Sequence, residues 1–261
     1  MSFADVNGQR IRFDDTATDG PAVILAHGFL MDRTMFAPQV AALADEFRVI
    51  TWDERGFGET EYDGEPFTYW DSARDCLGLM DQLGIERAVV GGMSQGGFVA
   101  LRAALLAPDR VRALVLIDTQ AGAEDPERLP AYRQMQQTWL AEGAVDELTG
   151  AIANLILGTP ELNSVWIEKW RALDGQSSMK EPGDCLLGRE DITERLGEIA
   201  CPAIVFHGTA DLSIEIERAE QLCQGLPGAR ALVRVEGAPH AANLTHPDQV
   251  NAPLLAFLRS L

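Results

Sequence analysis

Ala88-Val89-Val90-Gly91-Gly92-Met93-Ser94-Gln95-Gly96-Gly97-Phe98 joins an apolar, β-branched run to a group of glycines around one serine. The spacing Gly92-x-Ser94-x-Gly96 predicts a strand, a sharp turn and a helix start, with Ser94 at the apex. Glycine suits the flanks of a turn too tight for side chains, and the turn pushes the serine hydroxyl into the open. The backbone N–H of Gln95, at the start of the helix, would then face a developing negative charge. Short glycine-serine patterns also occur in ordinary turns, so the surrounding chain decides what this one means.

Working outward, the same strand-and-helix rhythm recurs on both sides. Residues 2–14 alternate around Asn7-Gly8, which predicts a hairpin. Ala22 to Ala26 is a continuous apolar run suited to a strand covered on both faces. It ends at His27-Gly28, and a helix over about residues 34–43 leads to a strand at 47–52. The loop Asp53-Glu54-Arg55-Gly56-Phe57-Gly58 follows, then a helical pattern over 67–83 with Gly84 as its stop. After the Ser94 turn the helix runs to Ala107, Pro108 ends it, and Ala113 to Ile117 forms the next strand. Alternation of this kind implies a parallel sheet with right-handed crossovers and helices on both faces.

From about Gln120 to Gly197 the rhythm stops. Helical patterns carry Met135 and Trp139, then Leu148 to Leu157, then Trp166 and Trp170. A structureless loop of that length is improbable, so the segment reads as an inserted helical cap. Sheet patterning resumes at residues 203–207 and 231–235, with helices near 214–226 and 248–261. The expected organisation is a core of residues 1–119 and 198–261, with a cap at 120–197.

The 261 residues are 46% hydrophobic and 23% charged, which excludes wholesale disorder and allows one large core. A formal net charge of -19 repels phosphate backbones and anionic membrane surfaces, so neither nucleic acid nor membrane is an expected partner. No apolar stretch approaches the roughly 20 residues that span a bilayer. The polar N-terminal stretch lacks a signal-peptide pattern, and a cytoplasmic location is expected. Cys76, Cys185, Cys201 and Cys223 are scattered without metal-ligand spacing and read as reduced structural residues. The oligomeric state is open.

Serine needs a base to take its proton during attack, and histidine is the natural one. The chain has four: His27, His207, His240 and His246. His240, in Gly237-Ala238-Pro239-His240 just past the last strand, lies where open α/β sheets bind ligands. His246, before Pro247, reads as a capping or surface residue. The acid that orients the base is assigned to Asp211, after the strand ending at His207, with Asp118 after the preceding strand as its rival. The chain order is nucleophile, acid, base: Ser94, Asp211, His240. The backbone N–H groups of Phe29 and Gln95 are the expected oxyanion donors, with His27 holding its loop. Leu30, Met31, Met93, Trp139, Trp166 and Trp170 are candidate pocket residues. Asp53 and Arg55 are expected to brace their loop, and Glu124 to Glu127 to form a solvated entrance to the cap.

His27-Gly28-Phe29, Asp53-x-Arg55-Gly56-x-Gly58, Gly92-Met93-Ser94-Gln95-Gly96, His207-Gly208-x-x-Asp211 and Gly237-x-Pro239-His240 together resemble the α/β-hydrolase superfamily. The resemblance covers essentially the whole chain outside the cap. It implies a mostly parallel, eight-stranded α/β sheet and places the chain near capped esterases, lactonases and non-haem haloperoxidase-like enzymes, including 3-oxoadipate enol-lactone hydrolases. Serine at the turn argues against the dehalogenase and epoxide-hydrolase branches, which carry aspartate there. Leu30, where haloperoxidase relatives commonly have proline, argues against peroxide chemistry, and the acidity argues against a coenzyme A thioester. The expectation is a serine hydrolase of a small-molecule carboxylic ester or lactone, with no metal and no organic cofactor. A carbon–carbon bond hydrolase of ring-fission diketones and a non-turnover ligand receptor are the alternatives.

Overall fold

The computed structural model describes residues 2–172 and 179–261. The chain opens with β1 (Ser2–Val6) and β2 (Gln9–Asp15), paired antiparallel. Asn7 and Gly8, both at positive φ (49° and 82°), make the two-residue turn, whose twist matches that of the strands. β3 (Ala22–Ala26), α1 (Ala37–Leu43) and β4 (Arg48–Trp52) follow. The helix expected from residue 34 divides in two. Arg33–Phe36 forms a 3-10 turn capped by the Asp32 carboxylate, and α1 begins next to Pro38, which fits a first helical turn because it has no N–H to satisfy.

α2 (Tyr69–Gln82) stops one residue before Leu83, and Gly84 takes φ 64°. β5 (Ala88–Met93), α3 (Gln95–Leu106) and β6 (Val111–Ile117) complete the first half. Between β6 and the next strand lie α4 (Leu129–Glu142), α5 (Asp146–Ile156), α6 (Pro160–Ala172) and α7 (Lys180–Leu187). These are the inserted cap helices. Pro182 and Gly183 hide α7 from a periodicity reading. It is held by α4 instead, where Gln136 Nε2 donates to Lys180 O and Asp184 Oδ1 at 3.1 and 3.2 Å. β7 (Ala203–Gly208), α8 (Ile216–Gly225), β8 (Ala229–Val235), the single turn α9 (Ala242–Thr245) and α10 (Pro247–Arg259) close the fold.

The eight strands form one sheet in the order β1-β2-β4-β3-β5-β6-β7-β8. β2 meets β4 antiparallel, and every pairing from β4 to β8 is parallel. Alternate residues feed opposite cores: Ile24 and Val90 pack with α2, α3 and α8, whereas Val23, Leu25 and Val89 pack with α1, α10 and the cap tryptophans. β5 is buried along its whole length at the centre. Its carboxyl end, and those of β3, β6, β7 and β8, therefore open on one edge beneath the cap.

Candidate active site

Ser94 sits between β5 and α3 with φ 52° and ψ -113°. A non-glycine residue in such a region costs on the order of 1–3 kcal/mol and persists only where its surroundings over-determine it. Here Ser94 N donates to Ile117 O at 2.9 Å, and Ser94 O accepts from Thr119 Oγ1 at 2.7 Å. The glycines are required by close approach. A Cβ on Gly92 would lie 2.5 Å from Ala26 O, one on Gly96 1.9 Å from the same oxygen, and one on Gly97 2.4 Å from Thr119 Oγ1. Gly97 thus belongs to the turn as much as the two glycines of the spaced pattern.

His240 Nε2 lies 2.9 Å from Ser94 Oγ, and His240 Nδ1 lies 2.8 Å from Asp211 Oδ2. A carboxylate facing Nδ1 keeps the proton there, so Nε2 is bare and accepts from the serine hydroxyl. Asp211 Oδ1 accepts from Ser213 N and Ile214 N at 2.8 and 3.1 Å. Burial works to raise the pKa of Asp211, but His240 foremost, together with His207 and the Ile214 N–H, holds the carboxyl below its ordinary value. The acid is thereby kept ionised beside its base.

Asp118 stands apart from this relay. Its Oδ1 accepts from Gly208 N at 2.7 Å and its Oδ2 from Ala242 N at 2.9 Å, so it ties the Asp211 loop to the His240 loop from below. Burial and the charge of Asp211 raise its pKa well above the ordinary value. Asp118, His207 and Asp211 have potential ligand atoms within 4.8 Å of one another. Both Asp118 oxygens already accept backbone N–H groups, and His207 Nε2 donates to Ile214 O at 2.8 Å. Their geometry is that of a brace beneath the triad.

His27 donates from Nδ1 to Gly28 O at 2.8 Å and accepts at Nε2 from Glu54 N at 3.0 Å, linking two loops. Asp53 takes Arg33 N, Arg33 Nη1 and Glu59 N, and Arg55 pairs with Asp75 through two bonds of 2.7 and 2.8 Å. His246 is half-buried at the start of α10. Phe29 N has no acceptor among the described residues, and Gln95 N belongs to a helical first turn, whose N–H groups lack intrahelical partners. The Gln95 side chain points elsewhere, with Oε1 accepting from Tyr69 OH at 3.2 Å.

Above Ser94 and His240 the cap encloses a cavity of about 130 Å³. Phe29, Leu30, Met93 and Trp139 line it. Trp166 and Trp170 do not; they fasten the cap to the loop after β3. Trp170 Nε1 donates to Leu30 O at 2.5 Å, and Lys169, 4.2 Å from the Trp166 ring centroid, reaches Asp32 Oδ2 at 2.8 Å. Met31 is likewise buried in the core and not part of the lining. Glu124 corrects the reading of a solvated run, because its side chain is 12% exposed and lines the cavity beside Arg189. Nothing local in the sequence signals that pairing, since its partners are 65 positions apart.

Residues 21–247 match the family model described as alpha/beta hydrolase fold. The chain belongs to the α/β-hydrolase family. Among curated α/β-hydrolase relatives, the "Putative carbamate hydrolase RutD" of Agrobacterium fabrum is 31% identical over 253 residues, covering 93% of this chain and 95% of that one. A thermophilic esterase from Thermogutta terrifontis superposes with a TM-score of 0.89 at 29% identity, covering 99% of this chain and 98% of that one. The enol-lactonase from Burkholderia xenovorans LB400 gives 0.88 at 28% identity, covering 99% and 100%. Among the described residues no helix is long and apolar enough to cross a membrane.

Proposed function

We propose that this α/β hydrolase cleaves small-molecule carboxylic esters or lactones through an acyl-enzyme on Ser94. The observation that carries the reading is the unbroken Ser94–His240–Asp211 hydrogen-bond chain at the floor of an apolar cavity. Ser94 Oγ attacks the carbonyl carbon while His240 Nε2 takes the hydroxyl proton. The negative charge that develops on the carbonyl oxygen is received by the N–H groups of Phe29 and Gln95. Collapse of the tetrahedral adduct breaks the ester bond, and the leaving oxygen takes the proton from His240. Water then attacks the acyl-enzyme with His240 again as base, releasing the acid and restoring Ser94. In a lactone the leaving oxygen stays tethered to the acyl group, so one ring-opened product results.

Leu30, Met93 and Trp139 are assigned to hold the acyl group, and residues 120–197 act as the cap that keeps water from it; residues 173–178 of that range lie outside the described residues. The four cysteines, none paired with another, fit a cytoplasmic location. The test is hydrolysis of p-nitrophenyl butyrate. Ser94→Ala and His240→Ala should each lower kcat by about 10⁴-fold or more. Wild-type turnover by folded Ser94→Ala would overturn the proposal.

A further inference from the structure

One wall of the catalytic cavity departs from its apolar lining. Arg189 Nη1 donates to Glu124 Oε2 at 2.9 Å, with the two side chains 2% and 12% exposed. They are the only Lys, Arg, Asp or Glu side chains among the described lining residues. The guanidinium is engaged on several sides: Nε donates to Gly122 O at 3.1 Å, Nη1 also donates to Leu186 O at 2.9 Å, and the central carbon lies 4.8 Å from the Phe98 ring centroid. Glu124 Oε1 in turn accepts from Asp125 N at 2.9 Å.

An unpaired buried arginine invites a carboxylate, because its planar fork matches the two oxygens. This one already holds a carboxylate from within the chain, through the Nη1–Glu124 Oε2 contact. A carboxylate on the substrate would shed its water, find the charge of Arg189 already offset by Glu124, and meet the like charge of Glu124 in a water-poor site. The net charge of -19 acts in the same direction at longer range. We infer that the Arg189–Glu124 pair closes the site to anionic acyl groups, with Glu124 as the residue that rejects carboxylate-tipped substrates. The inference rests on the ester-hydrolase reading above.

The test compares two p-nitrophenyl esters of equal chain length, the hexanoate and the mono-ester of adipic acid, on the full chain at a pH where the adipate terminus is ionised. The wild type should favour the hexanoate in kcat/KM by about 100-fold or more. Any apolar pocket disfavours a carboxylate to some degree, so Glu124→Gln makes the decisive comparison. It removes the negative charge, leaves Arg189 uncompensated, and should move the ratio toward the adipate ester by at least about tenfold. A folded Glu124→Gln with an unchanged ratio, or a wild type that prefers the adipate ester, overturns the inference. Should that variant not fold, competitive inhibition of the wild type decides: hexanamide must bind more tightly than the mono-amide of adipic acid, whose far end is ionised, and equal or reversed affinities count against the pair. If neither ester is turned over and a fluorophosphonate does not label Ser94, the hydrolase reading has failed instead. Calorimetric binding of hexanamide and of the adipic acid mono-amide then tests the charge filter by itself.

Discussion

Replacing Gly96 by alanine sets two effects against each other. Alanine is the better helix former by about 1 kcal/mol, and Gly96 lies in the first turn of α3, so propensity alone predicts a more stable protein. Sterics predict the reverse. The new Cβ would stand 1.9 Å from Ala26 O, 2.5 Å from Ala26 C and 3.0 Å from His27 O, all of them backbone atoms at the end of β3. Relief requires α3 and β3 to separate by about 1 Å, and overpacking of this kind costs about 1–3 kcal/mol. The net expectation is a destabilisation of about 0–2 kcal/mol. The larger consequence is catalytic, because Ala26 is three residues before Phe29 and Gly96 follows Gln95. The two proposed oxyanion donors would be pushed apart, and a misplacement near 1 Å can cost about 10²-fold in rate. Urea unfolding and kcat on p-nitrophenyl butyrate measure both effects. Gly96→Ala with wild-type kcat and an equal or higher midpoint would show that the Gly96–Ala26 approach does not set the donor spacing.

Asp118→Ala removes the acceptor of two buried N–H groups, Gly208 N and Ala242 N, at about 1–3 kcal/mol each, and should lower both the melting temperature and kcat. If only the melting temperature moved, the brace would not be positioning the triad. Trp170→Phe withdraws the indole N–H from Leu30 O, with an expected cost of about 1–2 kcal/mol in unfolding free energy and a lower kcat as the Phe29 turn loosens; unaltered kinetics would detach the cap anchor from the site. Burial holds His27 and His207 below the ordinary imidazole pKa of 6.5, so the unfolded chain binds more protons below that pH. Their contribution to stability is present above about pH 6.5 and is lost as pH falls toward the folded values, by up to about 1.4 kcal/mol per pH unit for each. His27→Gln should flatten the slope of unfolding free energy just below about pH 6.5. A slope equal to the wild type's would place the effect elsewhere.

The parallel strands are legible because burial on both faces leaves continuous apolar runs such as Ala22 to Ala26. The opening hairpin is legible because Asn-Gly is chemically suited to two consecutive positive φ values. Ser94, His240 and Asp211 could be named because each follows a strand at the same edge of the sheet. Asp118 satisfies that rule equally well, and only the three-dimensional route of the His240 loop separates the two acids. In the cap local pattern says less. Trp166 and Trp170, four residues apart, share one helical face whether that face lines a cavity or anchors to a loop, and the anchor at Leu30 O has no signature of its own. Glu124 looks like part of an exposed acidic run until Arg189, distant in the chain, folds against it.

On the proposed mechanism, turnover passes through an ester on Ser94. Rapid-quench mass spectrometry of the enzyme mixed with p-nitrophenyl butyrate, followed by peptide mapping, tests it directly. The predicted result is one butyryl group per chain on the peptide that carries Ser94, formed with the burst of nitrophenol and absent from Ser94→Ala. Steady turnover with no acyl group on Ser94, or with the acyl group on another residue, would contradict it.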